Sequence, residues 1–349
     1  MNLNLEQKAE KLITDYGMIE GGDIILVAFS GGSDSSALLY FLIKYFGEDK
    51  KDKIFATHMN HMIRGEDADK DERFAIETCE KYNIKIFVGH KNIPEIAAET
   101  KKSIEEAARD ERYDFLQKIA GSIGGNVKTA TAHTASDNTE TVIFNLSRGC
   151  GLTGLSGIPP VNKNKNIIRP FLSCSKEDIL EYCEKNNISY VEDKSNSDEN
   201  YTRNFIRHNI AFKLKEKFNN LDENIFKSTE IMRDTAGFLD LCADNIIKNH
   251  DKSDKSNKAD IDAILSSHKA LQRAIITKLY ENAVFPETRK LEFKHILYIE
   301  ELLKDAETSK NPKKFSKSID LPGFVTASVC ENKLIFERIA DKKTSGKRK

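Results

Sequence analysis

Six consecutive residues, Ser30-Gly31-Gly32-Ser33-Asp34-Ser35, carry the sharpest chemistry in this sequence. They follow the apolar run Ile24–Phe29 and open a stretch of helical period, Ser36–Phe46. The two glycines permit left-handed backbone, so successive N–H groups can converge on one anion. A helix start adds partial positive charge, and three serine hydroxyls can donate to phosphate oxygens. The loop has neither the lysine of a Walker A motif nor the spacing of a dinucleotide fingerprint, so neither assignment fits. Asp34 is the informative member. A carboxylate among phosphates repels them unless a divalent cation bridges the two, so the loop reads as a holder of Mg²⁺ and pyrophosphate.

Other reactive types recur at intervals. His133, Asp137 and Glu140 start at the end of the apolar run Val127–Ala132 and continue along one helix face, a set suited to a metal, an amine or a base. Arg109 and Arg112 lie three apart and can grip one polyanion. His61 and Arg64 follow the second apolar run. Arg148 opens a segment to Gly157 with four glycines, expected to be a flexible loop with Arg148 as a phosphate clamp. Arg203 and Arg207 share a helix face, and Phe205, Ile206, Ile210 and Phe212 tether that helix to a core. Arginine there fits phosphate contacts.

The elements that must position these groups follow a β–α rhythm. Apolar, β-branched runs occur at Ile24–Phe29, Ile54–Met59, Ile84–Val88 and Val127–Ala132, each associated with a stretch of helical period. Continuous apolar strands separated by amphipathic helices predict a parallel sheet covered on both faces, with ligands beyond the strands' carboxyl ends. A strand over Ile167–Phe171, a helix over Lys176–Asn187 and a short strand over Ser189–Glu192 should follow. Beyond Phe218 the pattern turns helical over Leu221–Asn249, Asp260–Asn282 and Glu287–Leu303, with a polar connector at Asp251–Lys258. A β unit is expected at Phe315–Leu321, Val325–Val329 and Leu334–Glu337. The expected divisions are 1–217 catalytic, 218–305 helical, 306–340 a small β unit, and 341–349 a basic disordered tail.

The hexamer resembles the pyrophosphate loop of the N-type ATP pyrophosphatases, the PP-loop superfamily, whose members cleave ATP between its α and β phosphates and leave an adenylated substrate. Further matches come in order. They are Asn60–Glu66, Glu106–Tyr113, Thr131–Thr141, Arg148–Leu155, Arg169-Pro170-Phe171-Leu172, Glu192-Asp193 with Ser195-Asn196, and Tyr201 with Arg203-Asn204 and Ile206-Arg207. Over about 24–210 this ordered set is similar to the tRNA(Ile)-lysidine synthase family. One departure stands out: where that family usually has His-x-x-Asp-Asp, this chain has Ser136 before Asp137. The resemblance implies an adenine nucleotide alpha hydrolase-like fold with ATP on Ser30, Gly31, Gly32, Ser33, Asp34 and Ser35, and Mg²⁺ on Asp34. It implies a catalytic set of Asp34, Asp137, Glu140, Arg112 and His133, with RNA on His61, Arg64, Arg109, Arg148, Arg203 and Arg207. The implied reaction joins L-lysine to the wobble cytidine of the CAU-anticodon isoleucine tRNA through an adenylated intermediate, and a homodimer is allowed for. Asp137 and Glu140 are both candidates to take the amine's proton.

Composition sets the limits. The 349 residues are 39% hydrophobic and 31% charged, neither disordered nor fibrous in type. No apolar run approaches the ~18 residues of a membrane helix, and Met1–Leu12 has no signal-peptide core, so a cytoplasmic protein is expected. The six cysteines include no C-x-x-C pair, which argues against zinc, iron–sulfur and thiol-relay chemistry. That separates the lysine-ligating reading from a thiolating enzyme of the same superfamily. A non-catalytic nucleotide-binding regulator is the rival from another class; Asp34 and the arginines weigh against it. Residues 1–150 hold 19 basic and 25 acidic side chains, and 151–349 hold 35 and 30. The last forty residues hold 11 basic and 4 acidic, a candidate polyanion footprint.

Overall fold

The computed structural model of the chain describes residues 3–63, 65–191, 202–250, 256–284, 291–309 and 315–339. Arg64, residues 192–201, the connector at 251–255, the expected helix start at Glu287 and the tail 341–349 lie outside the described residues. Packing divides the chain into two compact units, Met1–Met232 and Arg233–Lys349. No helix among the described residues is long and apolar enough to cross a membrane.

The first unit is built on strands β1 (Ile24–Ala28), β2 (Ile54–Asn60), β3 (Lys85–His90), β4 (Val127–Ala130), β5 (Val161–Asn162) and β6 (Ile167–Ile168). Their order is β3-β2-β1-β4-β6-β5, all parallel except β5, which runs antiparallel to β6. The helices are α1 (Leu5–Asp15), α2 (Ser33–Phe46), α3 (Glu66–Lys81), α4 (Ile93–Thr100), α5 (Ile104–Ile123), α6 (Ala135–Ser147), α7 (Leu152–Leu155) and α8 (Lys176–Lys185). Strand β1 explains why its sequence is continuously apolar. Ile25 and Val27 pack in one core with α1, α2 and α8, while Leu26 packs in another with Leu116 and Val127. A central strand buried on both faces has no polar side to show.

Connections run outward from β1 through β2 to β3, then return to β4 on the other side of β1. The switch point of the sheet therefore lies between β1 and β4, where open α/β sheets bind ligands.

Four expected elements change, and so does the expected tether of the helix after residue 202: Ile206 is buried, but Phe205 and Phe212 are exposed. The strand expected over Ile167–Phe171 stops at Ile168, because Pro170 has no N–H to continue a ladder and the chain turns there. Ser189–Val191 forms no ladder; Val191 instead gives its N–H to the Gly31 carbonyl at 2.9 Å, laying this segment against the phosphate loop. The glycine-rich segment after Arg148 is packed rather than loose. It holds the short helix α7, a Cβ on Gly154 would lie 2.5 Å from that of Cys150, and one on Gly157 would lie 2.2 Å from Asn138 Oδ1. Asn138 explains this closeness, since its Oδ1 accepts from the Ile158 N–H at 2.8 Å. The fourth change is the break of the expected helix Asp260–Asn282, described with the second unit.

After the undescribed segment the first unit resumes with one continuous helical rod. It consists of α9 (Thr202–Phe205), a π turn over Ile206–Ala211, and α10 (Phe212–Lys217). Helix α11 follows at Leu221–His250.

The second unit contains β7 (Lys258–Asp260), α12 (Ile261–Leu265), α13 (Lys269–Ala283), α14 (Phe293–Glu307), β8 (Lys317–Leu321), β9 (Val325–Cys330) and β10 (Lys333–Arg338). The expected single helix over Asp260–Asn282 is two helices, broken where His268 caps α13 by accepting the Ala270 N–H. The strands form an antiparallel sheet in the order β7-β10-β9-β8. Val325, Ala327, Val329, Leu334 and Phe336 share one core with Ile275, Leu279, Ile299 and Leu302, so helices and sheet form one body.

Candidate active site

The phosphate loop takes its shape from its own hydroxyls. Gly31 has φ +88°, and a Cβ there would meet the Phe74 ring at 3.2 Å, so backbone freedom and close packing both require glycine. Ser35 Oγ accepts from the Ser30 and Gly31 N–H groups and donates to the Gly32 carbonyl; Ser36 Oγ donates to the Gly31 carbonyl. The loop is thus preformed at the N-terminus of α2, where backbone donors favour an anion. Asp34 sits in the first turn of α2, half-buried, with Ser33 Oγ beside it. Its carboxylate and that hydroxyl are hard oxygen donors that fit Mg²⁺, which commonly uses one or two carboxylates and completes its shell with phosphates. A cation already sits on both: Lys176 Nζ lies 2.5 Å from Asp34 Oδ1 and 2.7 Å from Ser33 Oγ.

The second half of the site grows from the end of β4. Thr134 caps α6, and Asp137 completes the capping box by accepting the Thr134 N–H at 2.8 Å and hydroxyl at 3.0 Å on Oδ2. Glu140, one turn on and only 3% exposed, accepts from Arg203 Nε at 3.1 Å and from Arg207 Nε at 2.5 Å. The same arginines approach Asp137 Oδ1 more loosely, at 3.3 and 3.5 Å. Arg203 and Arg207, expected on RNA phosphates, are therefore engaged by this carboxylate pair. Both oxygens of Glu140 are occupied, which makes it an anchor for arginines; Asp137 Oδ1 is the exchangeable oxygen. Arg207 also feels the charge of Asp34, linking the two halves.

Burial pushes the His133 imidazole well down, with Arg169, Arg203 and Arg109 adding to the effect against the pull of Asp137. His133 is neutral, and its Nδ1 meets Thr131 Oγ1 at 2.9 Å. Burial alone would raise the Asp137 carboxyl, but His133, Arg203 and the Thr134 N–H together hold it below the usual carboxylate range. His58, hydrogen-bonded through Nδ1 to the Phe29 carbonyl, is likewise pushed down by burial. Unfolded histidine protonates near pH 6.5 and these two resist it when folded, so stability is full above that pH and falls as pH drops through it. The expected slope is up to about 1.4 kcal/mol per pH unit for each. Melting temperatures from pH 8 to 5 check this, and H133Q should flatten the curve.

Arg112 reaches His61 across the cleft at 3.4 Å and carries solvent-exposed surface, as does Arg109, which lies over the Tyr113 ring. The structure thus brings Arg112, expected in the catalytic set, together with His61 and Arg109, two of the residues expected on RNA. Arg148 stands apart over the Phe144 ring at 5.1 Å, at the end of α6. Ser136 turns away from the cleft and donates to Asp222 Oδ2 at 2.6 Å, with Lys215 Nζ on both. It ties α6 to α10 and α11. Two residues escaped the sequence reading of the site. Lys176 arrives from α8; Arg169, 4% exposed, gives a guanidinium N–H to the Pro159 carbonyl at 2.6 Å and adds positive charge beside His133.

A preformed Ser-Gly-Gly-x-Asp-Ser loop at the switch point of a parallel sheet defines an ATP-binding protein of the PP-loop class, and a family model described as a PP-loop domain matches residues 1–214. A U34-tRNA thiolase from Methanococcus maripaludis has the same fold at 16% identity, with a TM-score of 0.53 over 66% of this chain and 78% of that one. A tRNA(Ile)-lysidine synthase from Caldanaerobacter subterraneus subsp. tengcongensis is 34% identical over 98% of this chain and 70% of its own length. One from Clostridium perfringens is 36% identical over 88% of this chain and 64% of its own length, and one from Thermotoga maritima 38% identical over 66% and 55%. The chain thus spans between about half and 70% of the curated relatives it matches. It belongs to the tRNA(Ile)-lysidine synthase family of PP-loop ligases.

Proposed function

We propose that this chain uses ATP to join L-lysine to C2 of the wobble cytidine of the CAU-anticodon isoleucine tRNA. The observation that carries the reading is that the phosphate loop and the His133–Asp137–Glu140 set end neighbouring strands and flank one switch point. An enzyme acting on a base must first unstack it. The cytosine C2 oxygen attacks the α-phosphorus of ATP, and the bond to the β-phosphate oxygen breaks to release pyrophosphate. The lysine ε-amine then adds at C2, AMP leaves with that oxygen, and the proton the nitrogen sheds goes to the departing AMP phosphate.

The chain's own groups divide this work. Backbone N–H groups of Gly32–Ser35 at the start of α2 hold the phosphates, and Asp34 with Ser33 would hold a Mg²⁺ that neutralises the leaving pyrophosphate. His61, Arg109 and Arg112 line the RNA side. Asp137 Oδ1 receives the ε-ammonium in exchange for its loose arginine partners and takes its proton, while Glu140 keeps Arg203 and Arg207 in place. Incubation with ATP, labelled lysine and transcripts of the CAU-anticodon isoleucine and methionine tRNAs tests the reading. Label should enter the isoleucine transcript alone, with AMP and pyrophosphate released; no incorporation, or equal incorporation into both, overturns it.

The basic C-terminal residues serve the same substrate in this reading, and 218–305 is the region we assign to tRNA binding. Lys317 is an exception, being paired with Asp305 at 2.7 Å. Neutralising Lys313, Lys314, Lys342 and Lys343 should weaken tRNA binding and flatten its salt dependence by about 0.7–0.9 for each phosphate no longer neutralised. A filter-binding series from low to high salt measures both, and an unchanged slope removes the tail from the RNA interface.

A further inference from the structure

Lys176 sits where its own helix has no use for it. It is the first residue of α8, directly after the Ser175 cap, where the helix dipole favours anions. Glu177 and Asp178 follow that rule and Lys176 does not. Its side chain crosses to an element 142 residues earlier in sequence and sets its ammonium on Asp34 Oδ1 and Ser33 Oγ. The pair is open to solvent, 40% and 35% exposed, and ion pairs of that kind contribute little to stability. Neither the helix nor the fold accounts for the placement, but the chemistry of the loop does.

The ammonium occupies the two oxygens that a divalent cation would use. A divalent cation on Asp34 Oδ1 and Ser33 Oγ would repel the ammonium held at the same two oxygens, so a metal arriving with nucleotide favours release of the lysine. The nearest anion then available to it is the phosphate chain lying on the loop. Lysine suits such a change of partner, being a compact charge on a flexible stem. We propose that Lys176 is a substrate-binding residue that neutralises Asp34 in the empty site and moves to the β- and γ-phosphates, the pyrophosphate that leaves, when metal and nucleotide bind. This rests on the nucleotide chemistry proposed above.

The role requires effects of opposite sign in one variant. In K176M, binding of inorganic pyrophosphate to the full chain at saturating Mg²⁺ should weaken roughly tenfold, the size of one charge-assisted hydrogen bond. AMP, which has neither of those phosphates, should bind nearly as before. Mn²⁺ binding without nucleotide, followed by paramagnetic resonance, should tighten because its competitor is gone. K176R should restore pyrophosphate affinity, and melting temperatures of both variants should match the wild type. Unchanged pyrophosphate affinity in K176M, equal weakening of pyrophosphate and AMP, or weaker Mn²⁺ binding each overturns the assignment of Lys176 alone. If the unaltered chain binds neither ATP nor pyrophosphate, the nucleotide reading falls and this inference falls with it.

Discussion

Asp137→Asn should stop lysine transfer while leaving adenylation of the tRNA intact. The side chain does two separable things. Oδ2 completes the cap of α6 by accepting the Thr134 N–H and hydroxyl, and an asparagine carbonyl oxygen can still do that. Oδ1 faces Arg203 and Arg207 at 3.3 and 3.5 Å, and only a carboxylate there can hold an ε-ammonium and take its proton. Loss of a positioned base costs about 10²–10⁴ in rate. Lysine incorporation should fall by that factor, whereas tRNA-dependent ATP–pyrophosphate exchange should remain near the wild-type rate. Equal loss of both activities would move Asp137 into the adenylation step. Glu140→Gln is the contrasting variant. Removing the carboxylate that binds both arginines leaves them only the looser contact with Asp137, and losing a hydrogen bond to a charged group costs about 1.5–3 kcal/mol. Its defect should appear first in the melting temperature.

Asp34→Ala is expected to abolish pyrophosphate release with the fold intact. The side chain is partly exposed and fills no core volume, and its ion pair with Lys176 is a surface pair. Such pairs are worth about 0–1 kcal/mol, so thermal stability should barely move. What disappears is the only carboxylate in the phosphate loop, and with it the residue proposed to hold the metal. ATP consumption should drop to background and excess Mg²⁺ should not restore it. Wild-type turnover with an unchanged Mg²⁺ requirement would show that the metal is held elsewhere.

The sheet was legible because its strands are buried on both faces, which leaves an unbroken apolar run such as Ile24–Phe29 with few other readings. The loop was legible because glycines, hydroxyls and an acid were contiguous. What the sequence concealed depended on distance or on shared residue type. Lys176 touches the loop only because α8 packs beside α2, and nothing in its local sequence points to Asp34. Glu140 and Asp137 have the same chemistry on paper; the difference is which of them Arg203 and Arg207 hold more tightly, a matter of fractions of an ångström. The four glycines of the Arg148–Gly157 segment suggested mobility, whereas Gly157 is glycine because the Asn138 side chain leaves no room for a Cβ. Ser136, where this chain departs from the family pattern, donates to Asp222 at 2.6 Å, a contact that a second carboxylate could not make without like-charge repulsion.

The π turn at Ile206–Ala211 sets the phase of the rod that closes the site. On a regular α-helix, twelve residues separate Arg203 and Lys215 by about 120° around the axis, and they would face different neighbours. The wide turn absorbs one residue, which brings the offset to about 20°. Both side chains can then address α6, Arg203 at Glu140 and Lys215 at Ser136. The rod behaves as an α-helix with one residue too many, and the surplus residue is what aligns its two ends. Deleting Asn209 should therefore yield a regular helix that still aims both side chains at α6, because eleven α-helical residues give the same offset of about 20°. Inserting one alanine after Asn209 should instead swing one of the two anchors away, so that lysine transfer is lost while helical content by circular dichroism is kept and no catalytic side chain is altered.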